Sequence, residues 1–129
     1  MKRFIRICSL VLLATFVITS ISPTVCFARK REKYQQELTD NPQLAEANEI
    51  YKRAIRYIEK GDGLLYRRPG EAAQLYSNAE SYFNNAAFKL KEISYQKNVD
   101  VSKEIEFCKQ LERKAHVKYG KARKEAKHD

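Results

Sequence analysis

At 129 residues, with 25 Lys and Arg against 16 Asp and Glu and a net charge of +9, the chain has room for one small domain and no more. Three cysteines are too few for a disulfide-dense scaffold. The basic balance draws such a protein toward acidic partners or anionic surfaces.

The first stretch bears on compartment. Lys2, Arg3 and Arg6 precede a nearly unbroken apolar run from Ile7 to Ile21, followed by Pro23, Val25-Cys26-Phe27-Ala28 and the basic Arg29-Lys30-Arg31. This is the layout of a secretory signal peptide, and small residues at Cys26 and Ala28 place the cut after Ala28. The expected destination is the periplasm or the exterior. Lipidation of Cys26 would need a small residue before it and an aliphatic one three before it, where Val25 and Pro23 stand. An uncleaved inner-membrane anchor is the alternative: the apolar run falls short of about 20 residues, but the cations after it resist translocation. Without residues 1–28, 22 Lys and Arg remain against 16 Asp and Glu, a net charge of +6, and Cys108 is the one thiol left.

Residues 29–40, RKREKYQQELTD, form a polar N-terminal segment whose apolar members are Tyr34 and Leu38. Four apart, they suit an extension of the next helix or a frayed end. The helical domain then spans residues 41–126, with helices at about 42–60, 69–97 and 100–126. Asn41 and Pro42 suit an N-cap and a first helical position. Leu44, Ala47, Tyr51, Ala54, Ile55 and Ile58 make a buried stripe, Glu49 and Arg53 an exposed pair four apart, and Gly61 a left-handed C-cap. Residues 61–70, GDGLLYRRPG, read as a loop in which Leu64, Leu65 and Tyr66 either fold back over the bundle end or stand out with Arg67 and Arg68 as a binding tip.

Pro69 opens the second helix, the spine of the chain. Ala72, Leu75, Ala79, Tyr82, Ala86, Leu90 and Ile93 recur at steps of three and four, with Tyr76, Phe83 and Ala87 beside them. Two apolar stripes need neighbours on both sides. The remaining face carries Gln74, Ser77, Asn78, Ser81, Asn84 and Asn85, amides and hydroxyls where a solvated helix favours Lys and Glu. A third helix begins at Asp100 or Ser102 and buries Val101, Ile105, Cys108, Leu111, Ala115, Tyr119 and Ala122. Short connections make the three helices antiparallel neighbours, so the expected fold is all-α: an antiparallel three-helix bundle, or a helical hairpin plus a third helix.

Ala54 and Tyr57 before Gly61-Asp62, then Ala72, Tyr76 and Ala79, resemble a single degenerate tetratricopeptide repeat over residues 50–80, with an insertion from Gly63 to Pro69. The resemblance implies a protein-binding scaffold.

Catalytic machinery is not expected. Cys108 and His116 lie two helical turns apart, roughly 12 Å along the axis, and no cysteine–histidine set has zinc spacing. Glu104 with Glu106 and Glu46 with Glu49 suit first-turn and surface charges. No cofactor is implied. Two binding modes are expected instead. Another protein would meet Leu64, Leu65, Tyr66, Arg67 and Arg68 in the loop and Asn78, Ser81 and Asn85 on the spine. Alternatively Lys114, Lys118, Lys121, Arg123 and Lys124 would hold anionic lipid or envelope polymer, nucleic acid being the least suited anion in an exported protein.

Overall fold

The computed structural model describes residues 32–128; the proposed signal segment with its cleavage point, and Cys8 and Cys26, lie outside the described residues. The contacts divide the chain after Glu32, and the unit that follows is all-helical apart from its first residues. A 3-10 turn, Pro42–Leu44, leads into α1, Ala45–Leu64; α2 spans Pro69–Lys97 and α3 spans Ser102–Lys127.

The helix ends follow local chemistry. The Asn41 side chain accepts from the Gln43 N–H at 2.9 Å, and Pro42 occupies the first position of the turn, where a missing N–H leaves nothing unsatisfied. Pro69 does the same for α2. Asn98 closes α2 at φ 52°, its N–H returning to the Ser94 carbonyl at 3.0 Å; asparagine tolerates this left-handed geometry better than most residues. Asp100 then accepts from both the N–H and the hydroxyl of Ser102, at 3.1 and 2.7 Å, as α3 begins.

Helix α2 packs extensively on both neighbours. Lys89 near its end pairs with Glu46 at the start of α1 at 3.4 Å, while Tyr76 near its start reaches Asp62 at the end of α1. The two helices are therefore antiparallel, and Glu80 at His116 with Tyr76 sharing Asp62 with Lys118 makes α3 antiparallel in turn. Ala47 and Ala54 of α1, Ala72, Ala79 and Ala86 of α2, and Ala115 and Ala122 of α3 are buried, so the backbones approach closely. Tyr51, Tyr76 and Phe83 fill the space between them. Tyr51 meets Phe83 edge to face, with centroids 5.8 Å apart, the orientation the ring quadrupoles favour. The predicted stripes are buried except that Leu75, Tyr82, Ile105 and Tyr119 are half-exposed, and Ala73 joins the core. The expected pairing of Glu49 with Arg53 does not form; Glu49 contacts Lys52 at 3.5 Å.

Two larger differences separate the structure from the sequence reading. Gly61 does not cap α1. It lies inside the helix, which runs on to Leu64, and no glycine among the described residues has positive φ. Its role is steric: a Cβ there would stand 2.7 Å from a ring carbon of Tyr76. The residues from 33 to 41 neither extend the helix nor fray. They form an irregular strap in which Tyr34 and Leu38 are buried against the core. Asn48, the buried polar side chain of the core, accepts from the Leu38 N–H at 2.8 Å and donates to Glu37 at 3.2 Å. Tyr51 donates to the Gln35 carbonyl at 2.6 Å, and Lys52 pairs with Glu37 at 3.0 Å. Hydrogen bonds from Lys52 and then Asn48 hold the Glu37 carboxyl below its ordinary range.

Gly61→Ala is expected to lower stability by about 1–3 kcal/mol, the usual cost of overpacking a tight contact, despite alanine's higher helix propensity. Gly120 is helical and nothing stands within 4 Å of its Cβ direction, so Gly120→Ala should raise stability by up to about 1 kcal/mol. Urea denaturation followed by circular dichroism compares the two.

Candidate functional site

The end of the bundle where α1 runs into α2 holds a polar cluster centred on Asp62. Asp62 accepts from the Tyr34 hydroxyl at 2.6 Å, the Tyr76 hydroxyl at 2.6 Å and the Lys118 ammonium at 2.9 Å. Its side chain is 12% exposed and that of Lys118 21%. Lys118 also lies 5.7 Å from the Tyr34 ring centre and 5.9 Å from that of Tyr76, with Lys114 5.9 Å over Tyr34. A carboxylate already accepting two phenols and an ammonium has most of its acceptor sites occupied. The cluster ties strap, α1, α2 and α3 together.

This cluster sorts the loop residues expected to bind. Leu65 is buried and Leu64 packs against the core, so both belong to the lid. Tyr66 is 72% exposed, under Lys121 at 5.6 Å from its ring centre, and their contact raises the ammonium pKa above its ordinary value. Arg67 and Arg68 are exposed; Arg68 pairs with Glu71 at 3.3 Å, and Arg67 donates to the Gly63 carbonyl at 3.4 Å. Most of the helix-three cations make contacts within the fold. Lys118 turns in to Asp62, Lys121 lies on Tyr66, Arg123 donates to the Tyr119 hydroxyl at 2.7 Å, and Lys124 is exposed.

The outward face of α2 has a different character. Ser81, Asn84 and Asn85 are exposed and Ser77 and Asn78 half-exposed, with Gln74 donating to Asn78 at 3.2 Å. Glu80, the acid in that stretch, turns aside to His116 at 3.2 Å. The face continues into two aromatic side chains the sequence reading passed over: Phe88, 71% exposed, and Tyr95, 93% exposed. The signal was present in the spacing. Phe88 follows Ser81 by seven residues and Tyr95 follows Phe88 by seven, two helical turns each, which keeps all three on one side.

Reactive side chains are dispersed. Cys108 is fully buried, and burial, with smaller contributions from Glu104 and Glu112, pushes its thiol up to about 12. His116 is exposed and borders an open cavity of about 450 Å3 lined by Glu80, Lys109, Glu112, Arg113 and Val117, which Cys108 does not reach. Glu46, Glu49 and Glu106 sit in surface ion pairs with Lys89, Lys52 and Arg113. Among the described residues no three His, Cys, Asp or Glu side chains gather as metal ligands, and no helix is long and apolar enough to cross a membrane.

Asp62→Ala removes the shared acceptor of Tyr34, Tyr76 and Lys118 and should cost roughly 2–4 kcal/mol, as loss of one partner from a largely buried charged network does; thermal unfolding measures it. Cys108 should stay unlabelled by Ellman's reagent in the native protein at mildly alkaline pH, since its folded-state thiol is raised and the thiolate is the reactive form, and should react fully once urea unfolds the chain. In comparisons with known proteins, no family model, no curated protein and no solved structure matches this chain.

Proposed function

We propose that this protein is an exported, non-catalytic helical module that binds another protein through the outward face of α2. The observation that carries the reading is the exposure of Phe88 and Tyr95 on a helix face that also presents Ser81, Asn84 and Asn85, with Glu92 between the two rings. Large rings with few rotatable bonds provide contact area at little entropic cost, and small amides and hydroxyls adapt their hydrogen bonds to a partner; binding loops favour this mixture. Each ring is worth about 1.5–3 kcal/mol when fully covered. The partner suited to it is a protein with an apolar recess bordered by hydrogen-bonding groups.

The signal-like layout of residues 1–28 supports export, and the likeness of residues 50–80 to a tetratricopeptide repeat supports a scaffold. The lid role of Leu64 and Leu65 leaves Tyr66, Arg67 and Arg68 as the loop residues able to join such an interface. The rival reading, docking of helix three on anionic lipid or envelope polymer, has less support. Lys118, Lys121 and Arg123 of its proposed set all have contacts within the fold.

A photocrosslinking amino acid in place of Asn84, in the native cell, tests the reading. The expected result is a discrete adduct with one other protein, lost in the Phe88→Ser/Tyr95→Ser double variant, whose affinity for that partner should fall by about 2–4 kcal/mol. Adducts only between copies of this chain, or an adduct indifferent to the double substitution, would overturn it.

A further inference from the structure

Three cations on α1 have no ion-pair or hydrogen-bond partner among the described residues and stand together. Arg53, Arg56 and Lys60 are exposed, and with the half-exposed Tyr57 they line a cavity of about 340 Å3. Their spacing of three and then four residues puts them on one face of the helix over two turns. Like charges at such spacings repel by a few tenths of a kcal/mol each. The acids that could relieve this point elsewhere: Glu49 contacts Lys52, and Glu59 accepts from Gln36 at 2.9 Å. The floor is firm, because the Tyr57 ring stacks on Tyr82 of α2 with centroids 5.3 Å apart and planes 18° from parallel.

We infer that Arg53, Arg56 and Lys60, over the Tyr57–Tyr82 stack, form a binding site for a ligand carrying two neighbouring phosphate groups. Guanidinium groups bind phosphate oxygens through paired N–H bonds, and three cations over two turns match the charge of two phosphate groups better than the single charge of one carboxylate. Arg53 and Lys60 are separated by about 10 Å along the axis, more than one tetrahedral phosphate spans, which divides the three cations between two groups. The site is distinct from the helix-three cations and does not depend on the outward face of α2 near Phe88. The shared chemistry is a diphosphate or a pair of phosphodiesters, and its source is either a soluble diphosphate ester or a lipid headgroup bearing two phosphates.

Isothermal titration of the purified full-length protein with sodium pyrophosphate reads the soluble source. Sedimentation with phosphatidylcholine vesicles, with and without cardiolipin, reads the lipid source. Arg53→Gln/Arg56→Gln should weaken binding by at least about tenfold while leaving the circular dichroism spectrum and melting temperature unchanged, since both side chains are exposed. Lys97→Gln/Lys127→Gln removes the same charge from the ends of α2 and α3 and should leave binding as it was. An arginine-dependent loss with pyrophosphate alone assigns a soluble ligand, with cardiolipin vesicles alone a headgroup, and either supports the site. Absence of binding to both probes, or equal weakening in the two double variants, would overturn it.

Discussion

Much of the fold is drawn to one carboxylate. Asp62 stands near the end of α1 and gathers a tyrosine from the strap, a tyrosine from α2 and a lysine from α3, so four segments distant in sequence share a single acceptor. Burying a carboxylate is expensive unless its lone pairs are met. That expense gives the cluster its value: arrangements that leave Asp62 partly unmet are penalised, and the correct one is favoured as a unit. The cluster also fixes ring positions. Tyr76 is fully buried and tied by its hydroxyl, which is why its ring cannot yield to a Cβ at Gly61.

Close packing and surface character follow from that arrangement. With Gly61, Ala54 and Ala47 buried on one helix and Ala72, Ala79 and Ala86 on the next, the bulk of the core comes from Tyr51, Tyr76 and Phe83 together with Leu44, Ile55, Ile58 and Leu90. The tyrosine hydroxyls find partners across the strap: Tyr51 donates to the Gln35 carbonyl of the strap, and Tyr34 of the strap donates to Asp62 of α1. Several α3 cations are absorbed in the same way, over tyrosine rings and on Asp62. The open part of the chemistry thereby shifts to the outer faces of α1 and α2, which have fewer internal obligations.

The sequence made the three helices, the proline openings of the first two and most buried stripe positions legible, because periodicity and capping are local signals. Gly61 was misread because a glycine ahead of an irregular stretch carries two meanings, left-handed cap or close contact, and only the position of Tyr76 decides between them. The strap was misread for a related reason. Tyr34 and Leu38 satisfy a helical spacing by chance, while their true partners, Asp62 and Asn48, lie 28 and 10 residues away. Phe88 and Tyr95 are large apolar residues outside the core, and the spacing that puts Asn84 outside puts Phe88 there too. The grouping of Arg53, Arg56 and Lys60 was visible as spacing, but their lack of acidic partners became apparent only when Glu49 and Glu59 were seen to turn elsewhere.

The strap also bears on the order of folding. Its residues are bound mainly through side chains, by Asn48, Tyr51, Lys52, Glu59 and Asp62 of α1 and by Lys114 and Lys118 of α3, so its loop-closure entropy is repaid in full only after α3 has packed. Local contacts of a helical hairpin form early by comparison. Until the strap docks, Asn48 lacks its two partners and the Tyr51 hydroxyl lacks its acceptor, on a seam where Tyr51 meets Phe107 at 6.0 Å. The strap therefore converts a hairpin with an added third helix into a closed body, and the segment that looked least structured in composition completes the core.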